Sequence, residues 1–335
     1  MAYDDVVARF TLAGSLISCI ATFCVLVSYM VFRDELRSFR QALVFNLALA
    51  EFLNTLNNSI SGCIYVQTKR LSPGPACIAN GFINQLTVQA VDFTILAIVI
   101  VTLLTITQKT YLPSVSFRAK TIICLSTWAV PIITSTTALA MGAMSPVSGN
   151  WCWITAERTD LRYALTHGWR IAIILLTVLL YAYIWCDAAT RGWSPLQKPA
   201  QTRSTKQHIF YPAVPVMTLE PERDGARESH EGINAPLGHR GRGFEREVRR
   251  MLLLNAYPTM YVLLWIPGIV NRFMEATGTS PSSTRIVGAL QSTSQFVGFA
   301  NALTFGLSAT MRRRIASAAP SSKWAGRRRE EEREG

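Results

Sequence analysis

Apolar residues fall along this chain in long runs broken by short polar segments, and the most telling run is Cys77–Thr107. Within it Gln85, Gln89 and Asp92 follow one another at spacings of four and three, which sets them on one face of a helix. Phe93–Leu104 is then hydrocarbon apart from threonine. A bilayer core of about 30 Å needs about 20 apolar residues in a helix, so this stretch is long enough to cross. A carboxylate in such a helix is costly unless it faces protein or a water-filled cavity. The same pattern repeats, which predicts seven spans: Phe10–Phe32, Gln41–Val66, Ala79–Thr107, Lys120–Gly142, His167–Cys186, Met251–Asn271 and Ile286–Thr310.

The polar segments between them give the domain plan. Residues 1–9 form a short extracellular N-terminus, and the run from Phe10 is too long for the apolar core of a secretory signal. Residues 10–192 carry spans one to five, divided at Asp34–Ser38, at Pro73-Gly74-Pro75, at Pro113 and by a Trp-rich loop, Ser145–Arg162. Residues 193–248 are rich in Pro, Gly and Arg without helical or strand period, which predicts a disordered third cytoplasmic loop. Residues 249–311 hold spans six and seven, and residues 312–335 form a basic cytoplasmic tail.

Composition agrees with an all-α membrane protein, a seven-transmembrane helix bundle. Half of the 335 residues are hydrophobic and 16% are charged, against about 25% charged in a soluble domain. The net charge of +12 would suit nucleic acid, but its placement argues otherwise. With the N-terminus outside and the C-terminus cytoplasmic, 25 Lys and Arg residues lie in cytoplasmic segments and seven outside, with Arg170 inside span five. The short loops favour this orientation weakly, and the long loop and tail point the same way. The excess then reflects topology and attraction to anionic lipid, with no nucleic-acid partner. The seven cysteines lie mostly in apolar runs, as small buried hydrophobes do. No CxxC, His/Cys metal spacing, P-loop or GxSxG occurs, so no metal, cofactor or enzyme activity is expected.

The polar residues inside the spans carry the remaining chemistry. Asn46, Glu51, Asn54, Asn57, Asn58 and Ser61 form one arc of span two, which must look into the bundle. Asn57-Asn58-Ser59 matches a glycosylation sequon, but its place within a span argues against modification. Glu51 and Asp92 are deep acids with no Lys or Arg at matching depth, since Arg170 falls near the outer end of span five. They serve as packing residues, as a conformational switch, in ligand contact, or in proton or ion coupling. Trp151, Trp153 and Trp169 fit an interfacial aromatic belt. Cys77 and Cys152 share the outer, oxidising side, which permits a disulfide, with two free thiols as the alternative. Pro258 and Pro267 in span six permit kinks.

Taken together these features resemble a G protein-coupled receptor, and most sharply the cAMP-receptor-like group of fungi and slime moulds, related to the fungal glucose-receptor and secretin-like families. The resemblance rests on Trp151-Cys152-Trp153-Ile154, on Asn255-Ala256-Tyr257-Pro258, on Trp265 to Arg272, on Gln295 to Leu303, and on Leu47–Asn58. It covers about Phe10–Arg314 without most of the long loop. Span three ends without Asp-Arg-Tyr and span seven lacks Asn-Pro-x-x-Tyr, which sets the chain apart from rhodopsin-like receptors. The resemblance implies a multi-pass plasma-membrane receptor that passes an extracellular small-molecule signal (a nutrient, a sugar or a cyclic nucleotide) to a heterotrimeric G protein. The ligand would lie among Gln85, Gln89, Arg170, Trp265, Asn271, Gln291 and Gln295. Glu51, Asp92 and Asn301 would form a polar switch network, and Lys109, Arg249 and Arg250 would meet the G protein. The alternative is a polytopic transporter or channel using Glu51 and Asp92 for ion or proton coupling. No internal repeat supports it, and span seven has no lysine for a retinal Schiff base.

Overall fold

The structure is a computed structural model and describes residues 3–32, 39–107, 117–147, 150–190, 256–274 and 284–307. The predicted third loop and tail, with Lys109, Arg249 and Arg250, lie outside the described residues.

Helix α1 is Asp5–Val31. Its start is fixed by Asp4, whose carboxylate accepts from the backbone N–H of Val6 and Val7 at 3.0 and 3.2 Å. Helix α2 is Phe39–Thr68 and α3 is Pro75–Thr107. Helix α4, Phe117–Ala140, continues through Pro131. Gly142 follows at φ 63°, a conformation that favours glycine, and turns the chain into a hairpin, β1 Met144–Pro146 and β2 Cys152–Ile154. The strands pair antiparallel with Ser145 opposite Trp153. Helix α5 runs from Thr159 to Thr190, with a π turn at Tyr163–His167. Helix α6 covers residues 256–274 without a break at Pro258 or Pro267. Helix α7 is Thr284–Ser292, a 3-10 turn at Thr293–Phe296, then Val297–Gly306.

Three expectations need correction here. The stretch Ser145–Arg162 holds the hairpin and the first turn of α5 rather than a plain loop. Helix α5 also begins at Thr159, eight residues before the predicted His167. The free cysteines are not buried either. Cys24, Cys63 and Cys186 are exposed, and Cys19 and Cys124 are half-buried. In a membrane span an apolar side chain has no need of the core, because lipid accepts it equally well.

By length and composition, four helices among the described residues can cross a membrane: Asp5–Val31, Pro75–Leu104, Arg118–Ala140 and Thr159–Ile184. Helix α2 is as long, but its polar arc dilutes its hydropathy. That arc does turn inward, with Asn46, Glu51, Asn58 and Ser61 buried, while Leu53, Leu56 and Ile60 face outward.

Helix α3 is the axis of the bundle and touches α2, α4, α5 and the hairpin. The main core lies along it, where Ile95 and Ile98 meet Leu43, Leu47, Tyr257, Tyr261, Val297 and Phe305. A second cluster at the hairpin end joins Ala138, Met144, Trp153, Ile154 and Leu161. Helices in lipid gain no water-driven apolar association, so close packing and buried hydrogen bonds carry more of the specificity. The α1–α7 contact is built that way. Thr11, Ser15 and Ser18 recur on one face of α1; the Thr11 hydroxyl lies 2.6 Å from that of Ser292, and Ser15 donates to the Gln295 side chain at 2.9 Å.

Candidate functional site

The hairpin end of the bundle is held down covalently. A disulfide joins Cys77, at the start of α3, to Cys152 on β2. Asn80, one turn further along α3, accepts from the Cys152 N–H at 2.7 Å. The backbones come close here: a Cβ added at Gly81 would sit 3.0 Å from the Met144 sulfur and 3.4 Å from the Cys152 backbone. The next strand residue, Trp153, is thereby turned inward, where its indole N–H donates to Gln85 at 2.5 Å.

The π turn of α5 meets the same part of α3. In this widened turn the Leu165 carbonyl accepts from Gln85 at 3.1 Å and from Gln89 at 2.5 Å. Thr166 donates to the other end of Gln85 at 2.8 Å, and Thr134 of α4 donates to Gln89. Single π turns inside α-helices recur at functional sites because they re-aim the side chains that follow. Here the side chain that follows is Arg170.

Arg170 donates from Nε to Asp92 Oδ2 at 3.1 Å, both side chains being almost fully buried. This corrects the expectation that no cation lies level with Asp92. Because α5 starts at Thr159, Arg170 stands eleven residues into the helix, or about 16 Å along its axis. The other carboxylate oxygen, Oδ1, accepts from the Tyr261 hydroxyl at 2.5 Å. Trp265, one turn further along α6, lies beneath the guanidinium, with the ring centroid 3.9 Å from Cζ. Asp92 thus ties α3 to α5 and α6 through one buried charge cluster. Tyr261 escaped the sequence reading. The signal was its spacing of four from Trp265, which puts both on one helix face.

Above this floor is a cavity of about 90 Å³. Of the residues expected to bind ligand, Gln85, Arg170, Trp265, Gln291 and Gln295 line it. Gln89 does not, being spent on the link to Leu165, and Asn271 is buried away from the lining. The lining also holds residues that sequence reasoning did not assign: Asn54, Asn58, Asn84, Thr166, His167 and Arg272. Trp151 and Trp153 line it too, so those two do not form a lipid-facing belt; Trp169, 43% exposed, keeps that role. Four lining residues each keep a buried polar atom without a hydrogen-bond partner: Asn58 Oδ1, His167 Nε2, Arg170 Nη2 and Trp265 Nε1. Buried polar groups are ordinarily satisfied, so four convergent exceptions mark a place for a polar guest.

Of the expected switch network, Asp92 is in the cluster just described. Glu51 is buried on α2 against α7, its Oε2 3.4 Å from where a Gly298 Cβ would stand. Asn301, one turn beyond Gly298, is buried with both side-chain polar atoms unpartnered.

The helical layout, the hairpin pinned to α3 and the cavity beneath it define a receptor-type membrane fold. The fold is shared with squid rhodopsin at a TM-score of 0.66 and 14% identity, over 96% of this chain and 88% of that one. The sequence model of the Git3 family, described as the G protein-coupled glucose receptor regulating Gpa2, matches residues 5–191, and the chain belongs to that family. Its curated relatives include two from Arthrobotrys oligospora. Ascaroside receptor GPR3 is 23% identical over 89% of this chain and 84% of its own length. Ascaroside receptor GPR2 is 27% identical over 54% of this chain and 45% of its own. The protein is therefore a G protein-coupled receptor of fungal type, a receptor rather than an enzyme, and a membrane protein.

Proposed function

We propose that the chain crosses the plasma membrane seven times, N-terminus outside and C-terminus cytoplasmic. It takes a neutral, oxygen-rich small molecule (a sugar ring or a glycoside) into the cavity under the hairpin and relays its presence to a heterotrimeric G protein. The observation that carries this reading is the set of unpartnered buried atoms around the cavity. Two are N–H donors, on Arg170 and Trp265, and one is a carbonyl acceptor, on Asn58, which together ask for a guest bearing hydroxyl or ether oxygens. The rest of the lining agrees, with Asn and Gln amides beside Trp151, Trp153 and Trp265. Amides and indoles suit a molecule that is polar on its edges and apolar on its faces. The glucose in the family's description and the ascaroside in the relatives' names point to the same class.

In this reading the guest joins α2, α3, α5, α6 and α7 at the hairpin end and shifts the population toward one arrangement of them. Glu51, Asp92 and Asn301 carry the change along the bundle. Lys109, Arg249 and Arg250 meet acidic surface on the G protein. The test is guanine-nucleotide exchange on co-reconstituted G protein, with glucose, ascarosides and cyclic AMP as ligands. A neutral sugar or glycoside is expected to raise exchange above basal, and more than cyclic AMP does. Basal exchange with every sugar and glycoside, on folded receptor, overturns the ligand class.

A further inference from the structure

We infer that Asp92 sets the charge class of the ligand, by neutralising Arg170 from behind so that the cavity floor presents a donor without net charge. This rests on the reading of the cavity as the ligand site. Asp92 has no exposed surface and does not line the cavity, so it is not a contact residue. It holds Nε of the guanidinium, while Nη2 of the same group is buried without a hydrogen-bond partner on a residue that lines the cavity. The Trp265 ring covers one face of the guanidinium, which leaves Nη2 as its approach to a guest. A neutral hydroxyl placed there meets a donor and nothing else. A carboxylate or phosphate placed there meets the charge of Asp92 across a single guanidinium, in a region with little water to screen it. The cluster refuses anions although its visible member is an arginine. Arg272, the other arginine of the lining, is half-buried at the outer end of α6, where solvent screens it. His167 lies on the α5 side, its ring edge-on to Trp153.

The partner residue therefore decides what the arginine selects. Asp92→Asn leaves Arg170 with an uncompensated charge and turns the floor toward anions. Arg170→Gln leaves the carboxylate uncompensated and turns it toward cations. The experiment uses the full chain in nanodiscs and three probes of one shape, glucose, glucuronate and glucosamine, with binding read by titration calorimetry. Wild type is expected to prefer glucose. Asp92→Asn should raise the glucuronate-to-glucose affinity ratio by about tenfold or more, and Arg170→Gln should raise the glucosamine-to-glucose ratio similarly. The two variants are independent, so the loss of one to misfolding leaves the other to decide. Unchanged ratios in a folded variant overturn the inference and leave the cavity reading standing. Glucuronate gained by Asp92→Asn with no glucose bound by wild type supports the filter and sinks the sugar reading. No binding of any probe to any of the three proteins sinks both.

Discussion

Asp92 shows how much a single residue discloses and where that stops. A carboxylate in an apolar run must have a partner, and the sequence says so unaided. It does not say which partner. The depth of Arg170 depends on where α5 begins, and Arg158, Asp160 and Arg162 make its start look like loop. The π turn hides further, because its widened period leaves no residue pattern. The energetic consequence is that the two groups on Asp92 are unequal. Removing Arg170 leaves a buried, uncompensated carboxylate, which costs about 3–5 kcal/mol. Tyr261→Phe removes only one charge-assisted hydrogen bond, about 1.5–3 kcal/mol. Tyr261→Phe should therefore stay folded while loosening α6 from α3, and basal nucleotide exchange is the readout. A rise in basal exchange at near-normal surface expression is expected. A large loss of expression with unchanged exchange per receptor makes Tyr261 a packing residue. Asp92→Asn should likewise alter basal signalling more than surface expression.

At the scale of elements, α7 depends on another helix for its continuity. Its 3-10 turn breaks the regular ladder between Gln295 and Phe299, four residues apart. Ser18 of α1 fills the gap: its hydroxyl donates to the Gln295 carbonyl at 2.6 Å and accepts from the Phe299 N–H at 3.1 Å. A side chain inserted in this way is a recognised cause of a helix kink. The crossing is tight, since a Cβ added at Gly298 would stand 3.1 Å from Ser18 Cβ and 3.1 Å from Thr22 Cγ2. Ser18→Ala strands a buried carbonyl and a half-buried N–H, at up to about 1–3 kcal/mol for each group left unsatisfied. It should lower the midpoint of thermal unfolding and speed amide exchange at Phe299 above all. Uniform exchange across α7 would show that the break needs no splice. None of this is legible in the sequence. Thr11, Ser15, Ser18 and Thr22 are ordinary residues for a membrane span, and their helical spacing shows only that they share a face. The hairpin is the opposite case. Trp151-Cys152-Trp153-Ile154 carries the family resemblance in the sequence itself, and the pairing of Cys152 with Cys77 follows from the expected topology alone. The topology argument did not extend to Trp153, whose indole is fixed inside by the Asn80 and disulfide anchors on either side of Cys152.

At the scale of the molecule, two independent features bear on which way the bundle faces. The loop charges favour the proposed orientation with the hairpin outside, by an excess that lies mainly in the long third loop and the tail. The disulfide favours the same orientation by a different route, because a bond such as Cys77–Cys152 persists where thiols are oxidised. The cavity opens the argument further, since its lining gathers at the hairpin end and not at the opposite one. An extracellular ligand reaches it only if that end faces out. Residues just before Asp5 would then lie outside the cell and residues after Arg312 inside. An epitope placed ahead of Tyr3 should be stained on intact cells, and one placed after Gly335 only after permeabilisation. Staining of both on intact cells would point to an even number of crossings and remove the seven-span arrangement. The reverse pattern would turn the cavity toward the cytoplasm, and with it the ligand proposed above.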